Sequence, residues 1–589
     1  MPATAAIYFD RDLQASANAG GRNYWHVYTR ELCAQMGLTT VDVTRSKLRA
    51  GDLGAARVLI LPDLTPQYLR PEEKDTLRQW VEQGGLLIGF ATGGLGELFG
   101  VKVEDTLPQP DDAFTPAAAI RYKDAELARP LLPAGEEDTP IPVISPVKLL
   151  GQVQGRELAG LLNLYGRDLR RPAVTLREVG RGRAVYFCFN VAQTAWALHH
   201  GRPVLEDYDG DGKLRMSDAM VTRPFPTDLP YADMLLYLLR NLIARQGLPL
   251  VHALPPTDEG EVPDALFFYG GDDEGIPTQQ VASSEIMREL GLPYHINIMP
   301  DPEGNFGLSK TEFEQIKANG HEPSLHFNFI AGIEHPYAFN RADIQRVVNW
   351  YRKAFGETPV CTVFHWVTWC GWTEPAEWLA GAGILADNSR FPRYFPPSNP
   401  VNHVGFAFGT AMPFFHYSDW RKENDRIRCL GIPITGYEVG YEKGRVDLTQ
   451  FRRAVDLARF WHIPMNLFYH PFYLVTHPES VEGLRQGLQY MDEIGLRALH
   501  YGPDRVTKWW LARSEARVEE VEIAPEGTSF SVQCQWESGC VVQKMIGAEE
   551  PRVLVDGQSV EAVVREEHGA RWLFVAVPQG AHDLEIGIN

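Results

Sequence analysis

Between Ala265 and Tyr469 the chain repeats one pattern seven times. A short apolar run of strand length is followed, in most cases, by a longer segment with helical spacing. The runs are Ala265–Tyr269, Tyr294–Met299, Glu322–Phe327, Val360–His365, Ile384–Asp387, Leu430–Thr435 and Met465–Tyr469. Strands that alternate with helices must lie parallel, and a parallel sheet needs both faces covered. Seven such units predict a (β/α)7 barrel over 264–515, with any reaction centre at the C-terminal ends of its strands.

The flanks read differently. At 589 residues the chain exceeds what one core usually serves. Residues 1–250 also alternate strand and helix: Ala6–Phe9, Val58–Leu61 and Leu86–Phe90 are apolar runs, and Pro71–Gln83 is an amphipathic helix that stops at Gly84-Gly85. A doubly wound α/β domain is expected there. Ala173–Val179 and Arg183–Phe189 flank a Gly-Arg-Gly turn and predict a hairpin. Residues 251–263 read as a linker. From 516 to 589 the strands are short and alternate, as in a small β-sandwich.

Charge and cysteine usage exclude some functions. A formal net charge of −20 repels a polyanion, so no nucleic-acid partner is expected. Seven scattered cysteines include no CxxC pair, which leaves neither a zinc ribbon nor a dithiol redox motif; Cys534 and Cys540 read as buried thiols rather than a bridge. No apolar run approaches the roughly 20 residues of a spanning helix. Met1–Thr4 leads straight into a strand without a basic or long apolar segment, so the expectation is a cytoplasmic chain, or an exported one if a leader was removed earlier.

Asp207-Tyr208-Asp209-Gly210-Asp211-Gly212-Lys213-Leu214, closing at Asp218, spaces acidic residues at loop positions 1, 3, 5 and 12. That spacing wraps hard oxygens around one point, with a carbonyl from Lys213, and predicts a structural calcium site.

Two segments carry the chemistry. ALFFYGGDDEG at 265–275 runs a buried strand into paired carboxylates, and Asn319-Gly320-His321-Glu322-Pro323-Ser324-Leu325-His326 follows about fifty residues later. The order resembles the NodB-like polysaccharide deacetylases related to carbohydrate esterase family 4. The resemblance implies Asp272 as general base, Asp273 and His326 as ligands of a divalent metal such as zinc, and His470 as the acid that protonates a departing amine. The family's second histidine would fall at Ile330, so His365 is preferred as a third ligand, with Asn328 a weaker one; the arginine that steadies the family's catalytic Asp has no evident counterpart. The implied reaction removes an N-acetyl or related acyl group from an amino-sugar glycan, the metal activating water. Trp366, Trp369 and Trp372, with Trp378, Tyr394, Phe395 and Trp420, offer flat rings for sugar faces, although at least half belong to a core. Two alternatives stand beside it: a barrel that binds glycan without cleaving it, and a glycoside hydrolase using Glu438 with Asp272 or Asp387.

Residues 1–250 also resemble the class I glutamine-amidotransferase-like fold, on VLILPDL at 58–64, GGLLIGF at 84–90 and GRGRAVYFCFN at 180–190. Where that family places its cysteine this chain has Ala91-Thr92-Gly93-Gly94, which implies an accessory or scaffold role, such as a homo-oligomer contact.

Overall fold

The computed structural model describes residues 3–110, 112–330, 338–391 and 401–588. The chain is a mixed α/β, multidomain protein with a strongly curled central sheet. Among the described residues no helix is long and apolar enough to cross a membrane.

Near the N-terminus, the strands Thr40–Val43, Thr4–Tyr8, Ala56–Leu61, Leu86–Phe90 and Gly182–Phe187 lie side by side and parallel. Four more strands extend this sheet in antiparallel fashion. Leu86–Phe90 is buried at every position because layers cover both of its faces. The expected hairpin is present, with Val179 opposite Gly182 across the turn.

Six of the seven expected runs pair in chain order. Ala265–Asp272 pairs with His295–Ile298, which pairs with Glu322–Phe327, then Cys361–Phe364, Ala386–Arg390 and Arg426–Pro433, all parallel. Pro464–Phe468 joins the other side of the first strand. The short strand Gly436–Tyr437, which follows the sixth strand in sequence, pairs with Leu467–Phe468. The sheet therefore curls until its sixth and seventh strands meet through that segment.

The last part holds a five-stranded and a four-stranded sheet. Gly527–Cys534 buries alternate residues, so one face packs inward and the other meets solvent. Leu250–Val251, at the edge of the segment read as a linker, adds a strand beside Val542–Gln543. Three regions of the chain meet at Arg513. Its buried guanidinium donates to the carbonyls of Ala34, Gln35, Val251 and His252. Burial of that cation lowers its pKa to about 10, and the four carbonyls satisfy its donors.

Candidate active site

A cleft of about 1020 Å³ opens at the C-terminal ends of the curled sheet. That volume is at the upper end for small-molecule sites. The sheet contributes Asp272, Glu274, Trp366, Tyr437, Phe468 and His470, and the opposite wall comes from Asp209, Asp211, Arg215, Arg223 and Asp228 of the N-terminal region.

The floor is set by the end of the first strand. Gly271 has no room for a side chain, since a Cβ there would run into the carbonyl of Tyr469, just past the seventh strand. The close approach brings Asp272 and His470 to one rim. After Asp272 the chain turns sharply, with Glu274 at φ 51° and Gly275 at φ 68°. Asp273 pins this turn: Oδ1 accepts from the amides of Gly275 (2.9 Å) and Met299 (3.1 Å), and Oδ2 accepts from Gln280 Nε2 (2.9 Å). The side chain that follows, Glu274, is left facing the cleft.

Three carboxyls and three imidazoles gather there. Asp272 Oδ1 accepts from Asn297 Nδ2 at 3.0 Å, and Oδ2 lies 3.3 Å from His326 Nε2. Glu274 Oε2 accepts from His365 Nε2 at 3.1 Å, and Oε1 lies 3.5 Å from His470 Nε2. His470 Nδ1 donates to Glu438 Oε1 at 2.8 Å; its backbone amide donates to the same oxygen at 2.6 Å, and Tyr441 Oη donates to Glu438 Oε2 at 2.8 Å.

The environments push these groups apart. Burial raises the Asp272 carboxyl to about 8, the charge of His470 keeping it from rising further. Burial also acts against ionised Glu274, but the His365 hydrogen bond and the neighbouring His470 outweigh it and hold that carboxyl down to about 2. Burial would lower His470; its bond to Glu438 overcomes this and raises it to about 9. Burial holds His326 neutral, well below the usual histidine range. At neutral pH the cleft thus carries a protonated Asp272, an ionised Glu274 and a cationic His470.

The expected metal centre is not assembled by these residues. Asp273 was to be a ligand, but its oxygens face the turn and its partner beside His326 is Asp272 instead. His365 has Asn328 Oδ1 3.4 Å from Nδ1 and Glu274 at Nε2, so both nitrogens are engaged. Among the described residues, no three side chains from Asp273, His326 and His365 or their acidic neighbours in the cleft bring donor atoms within 4.8 Å of one another. Asp273, His326 and His365 do not converge on one point, as a three-ligand zinc site requires.

Other expectations separate in the same way. Trp366 lines the cleft with 42% of its surface exposed and Lys213 Nζ 3.9 Å above its ring. Trp369 and Trp372 do not reach it. Trp369 is buried with Nε1 donating to Trp372 O, and Trp372 stacks on Trp196 and donates to Gly201 O. Asp387 is buried away from the cleft and accepts from Ser389 Oγ at 2.7 Å, so its pairing with Glu438 is not present. His321 Nε2 bonds to Ser284 O, an orienting contact. Tyr394 and Phe395 lie outside the described residues. Sequence reasoning missed Glu274; the signal was available in a third consecutive acidic residue placed just before a turn glycine.

The acidic loop lies on the cleft wall. Donor atoms of Asp207, Asp209 and Asp211 come within 4.8 Å of one another. Asp207 accepts the amides of Gly210, Asp211 and Gly212, and Asp218 those of Tyr208, Asp209 and Arg215. The loop is joined to the Trp366 segment by the amide of Trp369, which donates to Leu214 O at 3.2 Å.

No protein-family model and no curated protein matches the chain. Solved structures similar to parts of it include a β-galactosidase from Rahnella sp. R3, at 16% identity over 33% of this chain and 29% of that one, TM-score 0.26. An exo-β-1,4-mannosidase, Op5Man5 from Opitutaceae bacterium strain TAV5, matches at 16% identity over 33% and 32%, TM-score 0.22. Puue allantoinase matches at 11% identity over 42% of this chain and 91% of that one, TM-score 0.28. The chain spans less than a third of the length of either glycosidase. None of these is named as a deacetylase or an amidotransferase, and with no family model behind either one, both resemblances drawn from the motifs are withdrawn. The deacetylase reaction goes with them: the side chain cast as its metal ligand, Asp273, is consumed in holding a turn.

Proposed function

We propose that the chain is a carbohydrate-acting hydrolase of the glycoside hydrolase class, with Asp272 as general acid and Glu274 as the ionised partner. One observation carries the reading. Two carboxyls from a single turn open on one large cleft, and their surroundings drive them to opposite protonation states. Glycosidic cleavage needs that pair: one carboxylic acid protonates the departing oxygen while a carboxylate activates water or attacks the sugar carbon. His365 and His470 hold Glu274 between them and keep it ionised. Trp366 and Tyr437 supply ring faces along the cleft.

Under this reading the finer layout comprises a doubly wound N-terminal domain that closes one wall of the cleft, a seven-unit central barrel and a terminal β-sandwich. The 207–218 loop is assigned a structural calcium ion, on the strength of its three gathered carboxylates.

The test is hydrolysis of a panel of aryl glycosides and oligosaccharides by the full chain, with the product anomer followed by NMR. Turnover lost in both Asp272→Asn and Glu274→Gln is the expected result. Saturable glycan binding without turnover by the unaltered protein would favour the non-cleaving alternative and end this one.

A further inference from the structure

A second cluster of ligand-type side chains lies away from the cleft. The first strand is bordered by two different strands along one edge: Ala498–Tyr501 pairs with its lower half, Ala265–Phe268, and His295–Asn297 with its upper half, Gly270–Asp272. At the step between them three side chains converge. His295 begins one strand, Glu322 lies opposite it in register at the start of the next, and Asp504 stands in the first turn of the helix Pro503–Glu515. Their donor atoms lie within 4.8 Å of one another.

The cluster is not satisfied internally. His295 is fully buried, and neither of its ring nitrogens has a hydrogen-bond partner. Nε2 is 3.2 Å from Asp504 Oδ1, yet off the alignment that a hydrogen bond requires. Two donors bound about 2.1 Å from one ion, at angles between octahedral and tetrahedral, stand roughly 3.0–3.4 Å apart and do not point at each other. Glu322 accepts the amides of Asp504 (2.8 Å) and Arg505 (3.0 Å), which fixes its carboxylate against the helix start. Asp504 Oδ1 accepts the amide of Cys361 at 3.0 Å. Gly502 is needed for this approach, because a Cβ there would collide with Glu322 Oε2. Two carboxylates held together in a buried place repel each other unless a cation lies between them.

We propose that His295, Glu322 and Asp504 hold a divalent transition-metal ion, zinc or manganese, that clamps the helix Pro503–Glu515 to the curled sheet. One imidazole and two carboxylates suit such an ion better than calcium, which takes oxygen ligands alone. The role is structural: the helix it fixes carries Arg513 in its last turn, which ties together the N-terminal region and the 250–252 segment.

The experiment is metal analysis of the full chain after zinc loading and gel filtration, with excess Ca²⁺ present to keep zinc off the 207–218 loop. Unaltered protein and Asp272→Asn are expected to retain one equivalent, which His295→Gln and Glu322→Gln lose, together with the rise in Tm that zinc gives the unaltered chain. Unaltered protein without bound zinc, or both variants retaining it, would overturn the proposal. Should a variant fail to fold, an anomalous-difference map of the unaltered protein at the zinc edge decides: a peak among the three side chains supports the site, and its absence rejects it.

Discussion

His470 Nδ1 and Glu438 Oε1 stand 2.8 Å apart, and this one bond turns the opposite edge of the imidazole toward Glu274, 3.5 Å away. Glu438 is fully buried and touches no part of the cleft surface, so it acts by orienting and charging His470. A histidine whose folded pKa lies at about 9 contributes stability that is complete below its unfolded value near 6.5 and is lost as pH rises through 9. The most it can contribute is about 3 kcal/mol. Glu438→Gln should therefore unfold more readily than the unaltered chain at pH 6, and the gap should shrink toward pH 10. Urea melts across that range measure it; a gap independent of pH would contradict the role.

Asp272 must carry its proton to act as an acid, and burial holds that proton to about pH 8. Under the proposed chemistry kcat/KM should be level through neutral pH and fall as pH rises through about 8. Asp272→Asn should lower kcat by roughly 10²–10⁴-fold while leaving the near-UV circular dichroism unchanged.

The tryptophans should divide cleanly. Trp366→Ala removes an exposed ring from the cleft wall and is expected to raise KM by roughly 3–10-fold with little loss of stability. Trp369→Ala empties a buried position and should destabilise by about 3–5 kcal/mol, measured by chemical denaturation. Equal effects of the two on KM would refute this division.

Calcium should stabilise the chain through the 207–218 loop. Titration with Ca²⁺ is expected to raise Tm by a few degrees, and Asp207→Asn together with Asp209→Asn should abolish the rise. Because the loop is bonded to the Trp366 segment, a chelator should also raise KM.

Much of the fold was legible because periodicity is a property of the backbone and its burial. The seven apolar runs of the central region and the alternation of the last seventy residues come from the need to cover two sheet faces or one. The site was legible as a place and not as a constellation. Asp272 and His470 both line the cleft, whereas the oxygens of adjacent Asp273 face the turn, since which of two neighbouring carboxylates turns outward is decided by amides contributed from Met299 and Gln280. Trp369 and Trp372 were misassigned because a ring that stacks on sugar and one that stacks on Trp196 look alike in sequence. His295 gave no signal of its own: the partners that make it notable lie 27 and 209 positions further along, and only strand register unites them.

One wall of the cleft belongs to a stretch of chain, Asp209 to Asp228, that contributes none of the proposed acid–base groups. Under the proposed chemistry, part of the surface that meets substrate thus lies in a different passage of the polypeptide from the proton-handling groups. If that chemistry holds, a loop grafted into that wall is expected to change which substrate is turned over while Asp272, Glu274 and His470 stay untouched.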